Sequence, residues 1–155
     1  MAFIEKSVEV AVPVRTAYDQ WTQFEEFPKF MEGVKAVVQI DDLRLHWTVE
    51  IAGKAQSWTA EITAQQPDTR IAWQSISGAK NGGVVTFHKI DDRHCKVSLA
   101  IDYDPHGLVE SVGDKLGFMG RRVQGDLERF KKFIEGRAVE TGAWRGVVDQ
   151  SHTVH

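Results

Sequence analysis

The chain has 155 residues, of which 42% are hydrophobic and 26% are charged, and its formal net charge at pH 7 is −3. This length and composition are typical of one globular domain with a sizeable core. The slight negative charge and the absence of a basic block argue against nucleic-acid binding. Cys95 is the only cysteine, which excludes an intramolecular disulfide and a cysteine-based zinc site.

The sequence carries no recognisable targeting or metal-binding signal. No apolar run approaches the roughly 20 residues that a membrane span needs, and residues 1–10 lack the apolar core of a signal peptide. We therefore expect a cytoplasmic protein without a membrane span. The six histidines are scattered and lack metal-ligand spacing, so neither a metal nor a cofactor is expected.

The first part of the chain predicts a strand followed by two short helices. Alternating valines in residues 2–12 favour a half-buried strand. Pro13 suits the first turn of a helix because its φ is already fixed there. Apolar residues within 14–21 then follow helical spacing, and the aromatic segment 24–31 predicts a second short helix or turn that ends at Gly33.

Six strand-like segments follow, separated by short turns. The segments are rich in β-branched and aromatic residues, and the turns contain Asp, Gly and Pro-Asp pairs. No helix-length insert separates them, which predicts antiparallel pairing. The segments cover residues 34–41, 43–52, 56–65, 70–77, 83–90 and 95–103.

Alternation within these segments predicts a sheet with one dry and one wet face. Three tryptophans on neighbouring strands are difficult to close-pack, so their ring edges could border a ligand cavity. Packing in an ordinary core is the alternative interpretation. The candidate ligand-binding residues on the dry face are Trp47, Trp58, Trp73, Ser75, Phe87, Leu99 and Tyr103.

A long amphipathic helix is predicted over residues 113–135. Its apolar residues recur in steps of three and four, which places them on one stripe that can cover the dry face. Gly113, Gly117 and Gly120 are unfavourable in a helix, which indicates either close packing on the sheet or space left for a ligand. Arg121 is a candidate contact for a ligand's polar end.

After Gly136 the periodic pattern fades. We therefore expect a domain over residues 1–136 and a loosely ordered C-terminal tail over residues 137–155. Docking of this tail through Trp144 is the alternative.

Short motifs within residues 2–136 carry a resemblance to a known superfamily. They are VPV at 12–14, FEEFPKFM at 24–31, GV at 33–34, HW at 46–47, PDTRIAW at 67–73, YDP at 103–105 and DLERF at 126–130. With them the chain resembles the Bet v 1-like or START-like (SRPBCC) superfamily, and within it the polyketide cyclase/dehydrase and coenzyme Q-binding group. The resemblance implies an α+β helix-grip fold. In that fold a curved antiparallel sheet wraps around a long C-terminal helix, two short helices close one end, and a cavity lies between sheet and helix.

The resemblance implies binding of a hydrophobic or polycyclic small molecule in that cavity. A polyketide aromatase/cyclase or dehydrase is the second hypothesis, and a protein-docking module is the third; a homodimer is left open. Aromatase/cyclases of the superfamily are thought to use a pocket arginine, but the strand 56–66 where it would be expected contains none.

No catalytic residue is assigned, because no His, Asp or Glu falls on the predicted dry face of the sheet. The character of the interior separates the three hypotheses. A dry cavity would favour the carrier and a polar cavity the enzyme. A filled core with an exposed apolar patch would favour the docking module.

Overall fold

The computed structural model describes residues 2–51, 53–104 and 115–149, apart from the side chains of Ala2, Lys115 and Leu116. The chain begins with a strand and two short helices, continues as a run of strands, and then forms a long helix. The elements are β1 (Ala2–Val10), α1 (Val14–Trp21), a 3-10 helix (Phe24–Lys29), β2 (Val34–Gln39), β3 (Arg44–Ile51), β4 (Lys54–Gln66), β5 (Arg70–Gly78), β6 (Asn81–Asp91), β7 (His94–Tyr103), α2 (Lys115–Arg137) and β8 (Val148–Asp149).

The predicted α+β helix-grip fold is confirmed. The strands form an antiparallel sheet in the order β1-β7-β6-β5-β4-β3-β2, so consecutive strands from β2 to β7 pair as hairpins and β1 closes the far side on β7. The register shifts twice between β4 and β5, after Thr59 and after Ile62. Such bulges bend a strand and increase its twist, which helps the sheet to curve around α2.

The long helix covers the dry face as predicted. Its buried stripe consists of Met119, Val123, Leu127, Phe130 and Ile134, spaced by three or four residues. Among the described helices, none has both the length and the apolar character that crossing a membrane requires.

Beyond α2, the segment expected to be loose makes specific contacts as far as Asp149. The Thr141 amide donates to Gln20 Oε1 at 2.8 Å, and the Trp144 amide donates to Thr22 Oγ1 at 3.0 Å. Strand β8 then pairs with β4. The described part of this segment is therefore fastened to α1 and to the sheet, while a domain boundary at residue 136 remains a prediction.

Arg145 provides the charged part of this attachment. Its guanidinium forms ion pairs with Asp19 at 2.5 Å and with Asp68 at 2.9 Å. The Asp19 side chain is only 5% exposed, and Arg145, together with Arg15 at 3.6 Å, supplies the counter-charge that a buried carboxylate requires.

Candidate functional site

A cavity of about 150 Å³ lies between the sheet and the first half of α2. Its lining is largely apolar because the alternating strands turn their large side chains toward the helix. The sheet contributes Leu45, Trp47, Val49, Ile51, Trp58, Ala60, Ile62, Ile71, Trp73, Leu99 and Ile101. The helices and the loop before β2 cover it with Trp21, Phe24, Phe27, Met31, Met119 and Val123.

Two of the cavity tryptophans form a stacked pair. Trp47 and Trp58 are directly opposite each other on β3 and β4, and their rings are 6.1 Å apart with an interplanar angle of 13°. Phe27 meets Trp47 edge-on at 5.6 Å, which joins the pair to the 3-10 helix. The pair therefore forms a flat aromatic wall on one side of the cavity.

Trp73 is held by its own hydrogen bond, whereas Trp58 is not. The indole Nε1 of Trp73 donates to Asn81 Oδ1 at 3.2 Å. Gly83 leaves space for the Trp73 ring, because a Cβ there would lie 2.8 Å from the ring's Cζ2 atom. The Nε1 atom of Trp58 is buried and has no acceptor among the residues that the structure describes.

The structure brings part of the predicted site together. Trp47, Trp58, Trp73 and Leu99 line the cavity. Phe87 is instead packed edge-on against Tyr18 at 5.3 Å, in the closed part of the core.

The remaining predicted residues lie outside the described cavity lining. Tyr103 is fully buried, and burial raises the pKa of its hydroxyl. The Ser75 hydroxyl accepts from the Asn81 amide at 3.1 Å, so it supports a residue that does line the cavity. Arg121 is exposed.

The helix glycines are not part of the described lining either. A Cβ at Gly120 would meet the Lys6 side chain at 3.5 Å, so this position faces β1 rather than ligand space. Gly117 does not border the cavity among the described residues. Gly113 lies outside the described residues.

A polar mouth that the sequence analysis missed completes the site. Arg122 and Asp126 line the cavity together with Glu32. Arg122 Nη1 donates to the carbonyl oxygens of Glu32 at 3.0 Å and Glu50 at 3.4 Å. Gly33 allows this approach, because its φ is +88° and a Cβ there would clash with the guanidinium of Arg122.

Asp126 is the titratable group of this mouth. It is 9% exposed, and its Oδ1 atom accepts from the Glu32 amide at 3.1 Å and from Arg129 Nη2 at 2.6 Å. Burial raises the pKa of this carboxyl to about 6, although Arg129 and Arg122 act in the opposite direction. A raised pKa in a cleft is typical of functional groups, and the same carboxylate also ties the loop before β2 to α2.

Residues 10–132 match the model of the family described as polyketide cyclase/dehydrase and lipid transport. The chain belongs to this family. A relative in Streptomyces lincolnensis, described as an uncharacterized 17.2 kDa protein in the melC2-rnhH intergenic region, is 55% identical over 149 residues. The match covers 96% of this chain and 99% of the relative.

The fold of this polyketide cyclase/dehydrase family member is similar to the folds of several solved structures. The DR_A0006 protein of Deinococcus radiodurans is 29% identical, with a TM-score of 0.70 over 88% of this chain and 99% of the other. The Zhui aromatase/cyclase of Streptomyces sp. R1128 is 16% identical, with a TM-score of 0.70 over 92% and 99% of the two chains.

A START superfamily protein of Mycobacterium smegmatis is 19% identical, with a TM-score of 0.67 over 88% and 96% of the two chains. At these low identities the START and aromatase/cyclase likenesses concern the fold. The family match supports a ligand-binding or cyclase role for this chain.

Proposed function

We propose that this family member binds a small hydrophobic molecule in the cavity between the sheet and α2. The observation that carries the proposal is the cavity itself, which is enclosed mainly by tryptophan, leucine, isoleucine and valine side chains. Apolar concave pockets with a few polar groups are the usual form of small-molecule sites.

The volume limits what the cavity holds in this conformation. A volume of about 150 Å³ corresponds to apolar cavities of about 150 Å³ that accept benzene. One ring or a short acyl chain therefore fits inside. A polycyclic ligand would have to extend through the mouth between Glu32 and Arg122.

The expected affinity follows from the area that such a ligand buries. Removing roughly 200 Å² of apolar surface from water gains about 5 kcal/mol before association costs. Association costs reduce this gain, so a single unsubstituted ring should bind no more tightly than the millimolar range, about −4 kcal/mol. Tighter binding requires either a larger apolar body or polar contacts at the mouth.

A cyclase or dehydrase is the second candidate, and Asp126 is the observation that favours it. A carboxyl with a pKa of about 6 exchanges protons readily near neutral pH. Ring closure also needs preorganised donors where negative charge develops, and Arg122 is the charged donor at the cavity. We rank this function second because Asp126 Oδ1 already accepts two hydrogen bonds that hold the fold.

A cavity-filling substitution tests the binding function. Ala60 lines the cavity and is 1% exposed, so Ala60→Leu is expected to place a larger side chain in the ligand space. Ala36 is exposed on β2, which makes Ala36→Leu the matched control. Ligand-observed NMR with toluene should show binding to the wild type and to A36L, and a loss of at least roughly tenfold in A60L.

Two outcomes would contradict the proposal. In one, toluene and larger apolar compounds fail to bind the folded wild type. In the other, A60L binds as tightly as A36L, which would place the binding site elsewhere.

A further inference from the structure

We propose that the ligand carries a carboxylate, which Arg122 binds at the cavity mouth while the apolar body of the ligand lies inside. The proposed class is small ring-bearing carboxylic acids. This inference rests on the proposed function, because it assumes that the apolar cavity is the binding site.

The pairing of charges at the mouth singles out Arg122. The two acidic side chains there are both engaged by Arg129, which pairs with Asp126 Oδ1 at 2.6 Å and with Glu32 Oε2 at 3.4 Å. Within residues 2–51, 53–104 and 115–149, no carboxylate lies within ion-pair distance of Arg122. Arg122 acts on the Asp126 carboxylate only beyond ion-pair distance, so its guanidinium can still pair with an anion from outside the chain.

The Arg122 side chain is also held in place before any ligand arrives. Its Nη1 atom donates to two backbone carbonyls, and its guanidinium lies 5.4 Å from the centre of the Phe118 ring. A guanidinium has several N–H donors, and planar pairs of them match the two oxygens of a carboxylate. The donors other than Nη1 make no protein hydrogen bond in the described structure.

Inside the cavity, an unused hydrogen-bonding group is also a donor. Trp58 offers a buried N–H with no acceptor among the described residues. Asn81 Oδ1 already accepts from Trp73, and Asp126 Oδ1 already accepts from Arg129 and the Glu32 amide. A ligand acceptor that reaches the Trp58 N–H would therefore satisfy a donor that is otherwise buried without a partner.

The dimensions agree with an apolar body and an external head group. An apolar cavity of about 150 Å³ accepts one benzene ring, and the cavity here has about that volume. A carboxylate attached through a short chain would then reach Arg122 at the mouth. There it keeps part of its hydration, so it avoids the cost of burying a charge in an apolar site.

A matched set of three compounds tests the head group. The set is 3-phenylpropionate, 3-phenylpropan-1-ol and propylbenzene, which share a ring and a three-carbon chain and differ in their polar end. Ligand-observed NMR and calorimetry should show that the acid binds the wild type at least roughly tenfold more tightly than the alcohol, because hydrogen bonds to charged groups are the stronger ones.

Neighbouring arginines supply the matched pair of variants. R122Q should abolish the preference for the acid, measured as the ratio of the affinities of 3-phenylpropionate and 3-phenylpropan-1-ol in that variant. R121Q, at an exposed position that does not line the cavity, should keep the preference. R122K, which retains the charge without the planar fork, should keep part of it, and it serves as the folded variant should R122Q unfold.

The outcomes separate this inference from the function on which it rests. If all three compounds bind equally well, or if R121Q and R122Q lose the preference alike, the carboxylate inference is overturned and the binding function stands. If none of the three binds the folded wild type, the proposed function itself fails.

Discussion

The two halves of α2 cover interiors of different kinds. In the second half, Leu127, Phe130 and Ile134 are each 0% exposed, and Phe130 meets Trp21 edge-on with 4.9 Å between the ring centres. In the first half, Met119 and Val123 border the cavity. One helix therefore closes a packed core at its C-terminal end and borders the cavity at its N-terminal end. We expect stability and binding to respond to substitutions in different halves.

The largest expected effect is the loss of packing under the second half of α2, where the core is closely packed. Phe130→Ala should lower the free energy of unfolding by about 3–5 kcal/mol, since it removes a buried ring from a close-packed core. Met119→Ala, its counterpart beside the cavity, should cost less, about 2 kcal/mol. Urea unfolding of both variants measures the difference. Equal costs would mean that the two halves are packed alike.

The second effect concerns the segment after α2, which contains Arg145 and contacts α1 and the sheet. Arg145→Ala leaves the buried Asp19 carboxylate without its 2.5 Å partner and should cost about 2–3 kcal/mol, less than a fully buried pair because Arg145 is partly exposed. Lys89→Ala removes a surface pair with Asp92 and should change stability by less than about 0.5 kcal/mol. Toluene binding should be unaffected in both variants. A loss of binding in R145A would show that the ion pair with Asp19 also affects the cavity.

The third effect is a pH dependence confined to the cavity half. The pKa of Asp126 is raised from 3.8 to about 6 in the folded state, so the folded state binds this proton more tightly than the unfolded state. The contribution of Asp126 to stability should therefore rise by about 2 kcal/mol as the pH falls from 7 toward 4.5. Asp126→Asn should remove this part of the pH profile, whereas Asp92→Asn at the surface should leave it intact. A profile that is the same in D126N and the wild type would contradict the raised pKa.

The smallest effect separates the helix glycines from the ligand space. Gly120→Ala should raise the thermal unfolding temperature, because Ala stabilises a helix by about 1 kcal/mol relative to Gly. The added Cβ would meet only the flexible end of Lys6 among the described residues. Calorimetric titration with propylbenzene should show unchanged affinity. Weaker binding in G120A would indicate that Gly120 borders the cavity.

The sequence predicts the fold well because its signals are local. Alternation marks each strand, and the stripe from Met119 to Ile134 marks the helix that covers them. Alternation also places Trp47, Trp58, Trp73 and Leu99 on the face where the cavity lies. The same pattern includes Phe87, which is closely packed, because periodicity identifies a face without showing where the helix lifts away from it.

The mouth could not be predicted in the same way. Helical periodicity assigns Arg122 and Asp126 to the solvated side of α2, and they lie at the rim between that side and the buried stripe. Whether a rim residue faces solvent or a cavity depends on the approach of the loop around Gly33, which is a tertiary contact. The useful signal was the pair of charges that flanks Val123 at i−1 and i+3.

Strand β4 is longer than the neighbour that covers one of its edges. β3 pairs with residues 54–61 of β4, whereas β4 continues to Gln66. Strand β8 supplies pairing farther along, at Ala64 and Gln65. Unpaired strand edges act as templates for association with other chains. A chain shortened to residue 136 would lack β8 and expose this edge, so it should self-associate through β4. Strand β8, although only two residues long, covers the edge and opposes this association.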